Sequence, residues 1–407
     1  MSAIVKKAAL AALMTPIITA IFLGLVVAAI SVPNAAVTEH LLERPDVLLA
    51  RRADNGRVID ADTECIGMSV GLYQSGNPPS TMFLRAVNAE SVYGCDPFMA
   101  WIDNGAPQVT RDYFRYWHGY TVIARPVLAV MTYNDLRGLL LTVSLLLLAW
   151  LSISLGRDFG VGTGVAFALP FLVLNFMGLM VVATKAFSFM LAMAGALAAR
   201  HLRKSEPPLL FFFGLGALTA YVDFFTMPFF IFTLAMMVWL LYRTHDGRKT
   251  SWADIFFCLA FWGTGWAGFI IIKIVIAALV LKTDAFSDAA SAAFFRVHGA
   301  SQYVKSFIPG AAILENFAAM KSVWAPIALA LFVITPFATK MRRSTWSSVW
   351  RNDRTLLAVA LAPLLWLEFF SNHSQIHAAF TQVNLAPAFI LAGLVLFRSP
   401  LLGLPKP

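Results

Sequence analysis

Long apolar segments follow one another through most of this chain, and they constrain its fold more than any other feature. Ten of them can be separated in the 407-residue sequence. A bilayer core of roughly 30 Å needs about 20 apolar residues per helix, and backbone amides in lipid must be paired within their own segment. The runs do not alternate as the strands of a membrane barrel would. They predict an all-α polytopic membrane protein with about ten transmembrane helices.

Composition supports the same class. Hydrophobic residues make up 59% of the chain and charged residues 13%, and the mean hydropathy is +0.72. So few polar residues cannot coat a soluble globule. We therefore treat residues 1–407 as a single membrane domain.

The first apolar run, residues 8–32, follows Lys6 and Lys7. It is too long for the apolar part of a cleaved signal peptide, and it predicts an uncleaved signal anchor. Small residues at 28–36 resemble a cleavage site, so cleavage stays open as an alternative. The other predicted spans are centred near Leu145, Phe167, Leu191, Gly216, Leu234, Ile270, Leu329, Pro363 and Ile390.

Basic residues are distributed asymmetrically between the loops. If the N-terminus is cytoplasmic, the loops on that side contain Arg157, Arg200, Arg203, Lys204, Arg243, Arg248, Lys249, Lys340, Arg342, Arg343, Arg351, Arg354, Arg398 and Lys406. This is the pattern of the positive-inside rule, with Lys185 as an exception, and it also places the C-terminus in the cytoplasm. The other face receives a large outer loop, residues 33–135, and a second outer loop, residues 282–323. The net charge of +9 then reflects topology and membrane lipid rather than nucleic acid.

The three cysteines fit this orientation. Cys65 and Cys95 both lie in the large outer loop, whereas Cys258 lies in an apolar segment. An oxidising compartment would favour a Cys65–Cys95 disulfide, although two free thiols are the alternative. No Cys/His cluster predicts a zinc site.

Nucleotide-binding motifs are missing from the sequence: there is neither a Walker motif nor a glycine-rich phosphate loop. No cofactor is therefore expected. The driving force must come from an ion gradient or from an activated substrate already in the membrane.

The large outer loop contains two candidate clusters. Asp60, Asp62 and Glu64 lie within five residues, and mutual repulsion in a cleft would favour one of them as a general base. On a solvated loop the same run would have no function.

The second cluster contains Arg115, Tyr116, Trp117 and His118, followed by Arg125. The guanidiniums are suited to clamp phosphate oxygens, while Trp117 and Tyr116 could stack on a sugar. An interfacial helix anchored by its aromatic residues is the alternative.

Ionisable residues near or within apolar segments form a third group. Asp223 is surrounded by aromatic residues at a turn, and Lys273 lies inside a predicted span. Burial of either charge requires a partner or a water-filled cavity, although the lysine could instead extend towards the headgroups.

The last outer turn contains Asn372, His373 and His377. The two histidines are four residues apart and share a helical face, but no third ligand accompanies them, so no metal is expected. Hydrogen bonding to a hydroxylated substrate is the functional hypothesis, and a capped polar turn is the alternative.

Together these clusters resemble the GT-C superfamily of membrane glycosyltransferases. Within it, the chain is similar to a bacterial group with three signatures, matched here by Tyr-Trp-His-Gly-Tyr at 116–120, Asp-Phe-Phe-Thr-Met-Pro at 223–228 and Asn-His-Ser-Gln-Ile-His at 372–377. The group's first-loop motif, Asp-x-Tyr-Thr-Asp, is matched at Asp60 and Thr63. Asp62 replaces its tyrosine and Glu64 its final aspartate, which leaves open which carboxylate is the base.

The resemblance implies a multi-pass protein of the bacterial inner membrane with a periplasmic active site. Its implied reaction is inverting transfer of a sugar from a polyprenyl-phosphate-linked donor to a glycan, lipid or protein acceptor. Glu64 or Asp62 would be the base, and Arg115, Arg125 or Lys273 would neutralise the departing phosphate. Tyr116, Trp117, His118, Asn372 and His377 would bind the sugar.

Two other functions remain open at this point. A transporter or lipid flippase could use Asp223 and Lys273 as an ion relay, although the sequence shows no internal repeat. A polymerase or ligase of surface polysaccharide would share the lipid-linked substrates.

Overall fold

The computed structural model describes residues 3–43, 61–72, 81–104, 110–174, 176–202, 206–298, 307–320 and 354–397. About 80% of these residues are helical. The strands in the described ranges form a single antiparallel pair. This is the all-α class that the sequence predicts.

The elements of the first half are α1 (Ala3–Ile30), α2 (Asn34–Leu42), α3 (Ala61–Ser69), α4 (Met82–Asn88), β1 (Ser91–Val92), α5 (Cys95–Asn104), β2 (Thr110–Arg111), α6 (Thr121–Leu128), α7 (Tyr133–Phe159), α8 (Val161–Ala168), α9 (Pro170–Val173), α10 (Phe176–Met180) and α11 (Ala183–His201). The second half contains α12 (Leu209–Val222), α13 (Pro228–His245), α14 (Trp252–Leu281), α15 (Ala285–His298), α16 (Ala311–Ala318), α17 (Arg354–Phe369), α18 (Ser371–Ile376), α19 (Ala378–Thr381), a 3-10 turn (Gln382–Leu385) and α20 (Ala386–Leu396).

Four helical stretches of the described chain are long and apolar enough to cross a membrane. They are α1, α7, α14 and the continuous stretch Ala378–Leu396, while α12 is apolar but shorter. These helices identify a membrane protein. The ten predicted spans are not confirmed, and the span expected near Leu329 lies outside the described residues.

The segment around Phe167 differs from the single span that the sequence predicts. It consists of the three short helices α8, α9 and α10. Pro170 begins α9, where its missing N–H is tolerated, and Leu174 at the end of α9 has an extended backbone with a ψ of 152°. Backbone conformation therefore interrupts a segment whose composition alone would permit a longer helix.

Two long membrane helices begin with matching capping boxes. Thr132 and Asp135 exchange side-chain and backbone hydrogen bonds at the start of α7, and Ser251 and Asp254 do the same for α14. Each box satisfies N–H groups that have no partner within the helix. These caps fix where the two helices start.

Helices α12 and α14 pack closely through glycines. A Cβ atom at Gly216 would lie 2.1 Å from the carbonyl oxygen of Trp262, and one at Gly265 would lie 2.2 Å from that of Phe213. Small residues allow such backbone approach between membrane helices. The contact positions α14 against the interior of the protein.

The described part of the large outer loop contains α2 to α6 and the β1–β2 pair. Ser91 pairs with Arg111 and Val92 with Thr110. The predicted disulfide is confirmed: Cys65 of α3 is bonded to Cys95 of α5, with their Cα atoms 5.2 Å apart. The bond connects α3 with α5, the helix that precedes β2. The described part of the second outer loop forms α15 and α16.

The bonding of the cysteines predicts a thiol count. Cys258 is buried in α14 and is free, so protein denatured without reductant should bind one maleimide, and reduced protein three. Intact-mass spectrometry measures both numbers. A Cys258→Ala control should bind none before reduction, and three labelled thiols in unreduced wild-type protein would contradict the disulfide.

Candidate functional site

A cavity of about 440 Å³ lies where the large outer loop, helix α15 and the turn at α18 meet. We call it the arginine pocket. Its volume falls within the range of about 300–1,000 Å³ usual for small-molecule sites. The described residues that line it are Thr63, Ile66, Tyr93, Arg111, Tyr113, Arg115, Tyr116, Phe224, Asp288, Ser291, Ala292, Phe295, Arg296, His373, Ile376, His377 and Phe380.

Three guanidiniums but only one carboxylate, that of Asp288, belong to these lining residues. Arg115 donates from Nη1 to Oδ2 of Asp288 at 2.5 Å. Arg296 donates to the hydroxyl of Tyr116, and Arg111 lies over the ring of Tyr113, 4.1 Å from its centroid. The lining therefore has an excess of positive charge.

Two of these guanidiniums keep unused donors. The Nε atoms of Arg111 and Arg115 are buried and have no hydrogen-bond partner within the described ranges. Buried polar groups in native proteins are nearly always satisfied by protein, water or a ligand. Planar guanidiniums with free donors are well suited to phosphate oxygens. The pocket therefore has the chemistry of an anion site.

Aromatic rings form another part of the lining. Tyr116 and Phe224 stack with their centroids 4.6 Å apart, and Tyr113 meets Tyr116 edge to face at 5.3 Å. Burial raises the pKa of Tyr113, which therefore stays a neutral phenol at neutral pH. Apolar ring faces beside hydroxyl groups suit a sugar, which presents both C–H and O–H groups.

His373 and His377 face the pocket from the last outer turn, with ring centroids 4.7 Å apart. Nε2 of His373 lies 3.0 Å from the carbonyl oxygen of Phe225, so this nitrogen is the donor and Nδ1 is the acceptor. Burial lowers the pKa of His373 well below its usual value. A neutral imidazole can accept a hydrogen bond from a substrate hydroxyl.

A second, apolar cavity adjoins the arginine pocket. Its volume is about 250 Å³, and it shares Arg115, Tyr116 and Arg296 with the pocket. We call it the apolar groove. Its remaining lining comes mainly from α14 and α15 and consists of Phe225, Trp266, Ala267, Ile270, Ile271, Ile274, Ala289, Ala293 and Phe370. The shared guanidiniums therefore lie at the boundary between a charged cavity and a membrane helix.

Glu64 lies outside the lining of the pocket, contrary to expectation. It is 1% exposed. Its Oε1 accepts from the Tyr133 hydroxyl at 2.8 Å and from the Ala183 N–H at 2.7 Å. Its Oε2 accepts from the N–H and hydroxyl of Thr184. The carboxylate therefore caps α11 from another part of the chain.

The other candidate carboxylates of the large loop do not line the pocket either. Oδ1 of Asp62 accepts from the N–H of Cys95 at 3.0 Å and so caps α5. Asp60 lies outside the described residues. The acidic run thus contains two residues whose contacts stabilise helix ends, while its neighbour Thr63 reaches the pocket.

Asp223 also caps a helix. Its carboxylate accepts from the N–H groups of Thr226 and Met227, just before α13. Burial raises the pKa of Asp223 to about 6. The adjacent Phe224, rather than Asp223, lines the pocket.

Asn372 connects two elements of the site. Its Nδ2 donates to the carbonyl oxygen of Phe295 at 2.6 Å, and this bond joins the last outer turn to α15. Its Oδ1 is buried without a partner in the described part of the chain. Its neighbour His373 is the one that faces the pocket.

Side chains of the Tyr-Trp-His-Gly-Tyr motif form hydrogen bonds to backbone carbonyl groups. Trp117 donates to the carbonyl oxygen of Phe269 in α14 at 2.8 Å. Nε2 of His118 lies 2.9 Å from the carbonyl oxygen of Tyr113, and burial lowers the pKa of His118 to about 3. Trp117 therefore attaches the outer loop to α14, whereas the bond of His118 stays within the loop, and Tyr116 alone of the motif lines the pocket.

Arg125 and Lys273 are buried cations that bind helix C-termini. Arg125 donates to the carbonyl oxygens of Ala29 at 2.8 Å and Val32 at 3.0 Å, at the end of α1. Lys273 donates to that of Val87 at 2.6 Å, in the last turn of α4. Cations at this position complement the helix dipole. Neither lines the pocket.

The structure thus brings four of the predicted site residues to the pocket: Arg115, Tyr116, His373 and His377. Sequence reasoning missed Arg111, Tyr113, Asp288 and Arg296. Arg111 and Tyr113 lie five and three residues before the motif at 116–120. Their closeness to the motif in sequence could have identified them as candidate site residues. Asp288 and Arg296 lie in the second outer loop, where a single helix, α15, carries both; no short motif marked them.

Comparison with protein-family models, with curated proteins and with solved structures gave no match. Within the described ranges, no group of three or more His, Cys, Asp or Glu side chains could hold a metal ion. The geometry of the arginine pocket and the apolar groove is therefore what indicates a function for this chain.

The contacts of Glu64 predict its effect on stability. Glu64→Gln would place an amide N–H₂ against N–H and O–H donors, and the free energy of unfolding should fall by about 3 kcal/mol. Chemical unfolding in detergent measures this loss. Glu39→Gln changes an exposed carboxylate of the same outer loop and should change stability little. Equal stabilities of the two variants would contradict the capping role.

Proposed function

We propose that the chain is an integral membrane glycosyltransferase. It would move a sugar from a polyprenyl-phosphate-linked donor to an acceptor at the outer face of the bacterial cytoplasmic membrane. The observation that carries this proposal is the pair of adjoining cavities, one cationic and aromatic and the other apolar, with Arg115, Tyr116 and Arg296 common to both.

The three guanidiniums would bind the donor phosphate. Arg111, Arg115 and Arg296 all line the pocket, so their guanidiniums would donate to the oxygens of a phosphate that enters it. Such charge-assisted hydrogen bonds are stronger than neutral ones. The guanidinium of Arg296 lies 4.7 Å from the ring centroid of Phe225, and Phe225 lines the apolar groove. Arg296 therefore contacts the groove as well as the pocket.

The sugar would occupy the aromatic side of the pocket. Tyr113, Tyr116 and Phe224 offer ring faces and edges, and the imidazoles of His373 and His377 offer hydrogen-bonding groups. The aromatic faces would contact the C–H groups of the sugar, while the polar atoms would orient its hydroxyl groups, as in ligand pockets in general.

The apolar groove would hold the first isoprene units of the donor. Its walls are formed mainly by α14 and α15, and exposed apolar residues continue along α14, with Ile271 55% and Leu279 74% exposed. A lipid tail could therefore leave the groove along the membrane helix. A soluble sugar nucleotide has no lipid tail to occupy the apolar groove.

The reaction would be an inverting displacement. The acceptor oxygen forms a bond to the anomeric carbon, and the bond from that carbon to the phosphate oxygen breaks. Polyprenyl phosphate leaves with the electron pair, and guanidiniums stabilise its developing charge. The acceptor would be a glycan, a lipid or a protein. The activated donor supplies the free energy, so no nucleotide cofactor is required.

The transport alternative receives less support from the contacts. Its relay would need Asp223 and Lys273 to exchange a charge, yet each binds backbone groups of a different helix end. A polysaccharide polymerase or ligase would use the same lipid-linked substrates, and the length of the product separates it from a single-sugar transferase.

Transfer should occur in nanodiscs, where no gradient can exist. We expect purified protein to move label from one member of a panel of radiolabelled polyprenyl-phosphate hexoses and pentoses to acceptors in a membrane extract. Thin-layer chromatography and gel analysis would detect a product carrying one added sugar. Products with many added units would indicate a polymerase. Label that crosses the bilayer of intact vesicles without covalent transfer would indicate a flippase.

Loss of a pocket guanidinium should weaken phosphate binding. Arg111→Gln and Arg296→Gln should each reduce affinity for decaprenyl phosphate by roughly 10- to 100-fold, because each removes charge-assisted hydrogen bonds. Thermophoresis in nanodiscs measures the dissociation constants, with decaprenol as the uncharged comparison. Lys282→Gln removes an exposed cation of the second outer loop and should bind as wild type. Unchanged affinity in both arginine variants would contradict the phosphate assignment.

A further inference from the structure

We propose that Asp288 accepts the proton of the acceptor hydroxyl, and that Arg115 occupies this carboxylate until a donor phosphate displaces it. The inference rests on the proposed glycosyltransferase function and assigns a group to its proton transfer. It differs from the sequence-based expectation, which gave this role to Glu64 or Asp62.

The position of Asp288 carries the assignment. It contributes the one carboxylate among the described lining residues of the arginine pocket. Its side chain is 42% exposed, so an acceptor can reach it. It lies in the first turn of α15, the helix that also carries Arg296. A fixed helix therefore presents a carboxylate and a guanidinium to the same cavity.

The other carboxylates that were candidates for the base lie outside the pocket and bind helix ends. Both oxygens of Glu64 accept hydrogen bonds at the start of α11, and both oxygens of Asp223 accept backbone N–H groups before α13. Withdrawing either would leave buried helix-end donors without acceptors. Asp288 has a partly exposed side chain and an exchangeable partner. Protonation of Asp288 would therefore destabilise the protein less than protonation of Glu64 or Asp223.

Arg115 is the exchangeable partner. It binds Asp288 through Nη1, its Nε is unpartnered in the described structure, and it lines both the pocket and the groove. A phosphate at that boundary would compete with Asp288 for the same guanidinium. While Arg115 is bonded to it, Oδ2 of Asp288 is not free to receive a proton from an acceptor. Donor binding would therefore release this oxygen for proton transfer.

In the proposed reaction one bond to the anomeric carbon forms while another breaks, and one proton moves to Asp288. The acceptor hydroxyl loses its proton to Asp288, and its oxygen forms the new bond to the anomeric carbon. The bond from the anomeric carbon to the phosphate oxygen breaks, and its electron pair leaves with polyprenyl phosphate. Arg115 stays with the leaving phosphate. When that product departs, Asp288 returns its proton to water and binds Arg115 again.

The test separates donor binding from turnover in Asp288→Asn. Asparagine keeps the size of the side chain but neither competes as an anion for Arg115 nor accepts a proton. We expect decaprenyl phosphate to bind to Asp288→Asn at least as tightly as to wild type. Turnover of the polyprenyl-phosphate sugar used by the wild type should fall roughly 10²- to 10⁴-fold, the usual contribution of a general base. Glu315→Gln is the matched control, since Glu315 is an exposed carboxylate of the same outer loop.

Each other result would overturn the assignment. Turnover within threefold of wild type would show that Asp288 is not the base, even though the transferase function would stand. Parallel loss of lipid-phosphate binding and turnover in a folded variant would show that Asp288 only positions Arg115. If wild-type protein neither bound decaprenyl phosphate nor transferred any sugar of the panel, the proposed function itself would fail.

Discussion

Buried helix ends need charged or polar partners, and the arrangement of this protein depends on side chains that supply them from distant parts of the chain. Glu64 caps α11, Arg125 binds the end of α1, and Lys273 binds the end of α4. In apolar surroundings an unsatisfied N–H or C=O group costs several kcal/mol. These long-range caps attach the large outer loop to α1, α11 and α14, and the pocket forms between the attached parts.

The caps also explain why the pocket is lined by the neighbours of the expected residues. Thr63, Phe224 and His373 line it, whereas the adjacent Glu64, Asp223 and Asn372 bind backbone groups. In each of these segments one side chain therefore stabilises the fold, and its neighbour in sequence lines the pocket. The pocket's charge comes from Arg111, Arg115 and Arg296, and the last of these belongs to the second outer loop. A short outer helix, α15, thus contributes directly to the chemistry proposed here.

Part of this arrangement could be predicted. The length and hydropathy of the apolar runs indicated α1, α7 and α14, because a helix that crosses lipid must be long and apolar. The cysteine positions indicated the Cys65–Cys95 disulfide, which the structure confirms. The number of spans could not be predicted in the same way, because composition does not show that the helix is interrupted at Pro170 and Leu174 in the segment around Phe167. For the site, Arg115, Tyr116, His373 and His377 were predicted, whereas Asp288 and Arg296 carry no local sequence signal.

The sequence by itself determined the class of the protein, the outer-loop cysteine pair and several of the segments that meet at the pocket, because hydropathy, residue type and spacing are local properties. Tertiary structure alone decided which charged side chain faces the cavity and which one caps a helix. That choice depends on which backbone groups are left unpaired when the helices pack. Only the packed chain has helix ends near Glu64, Arg125 and Lys273, and only there do the guanidiniums of two outer loops adjoin an apolar groove.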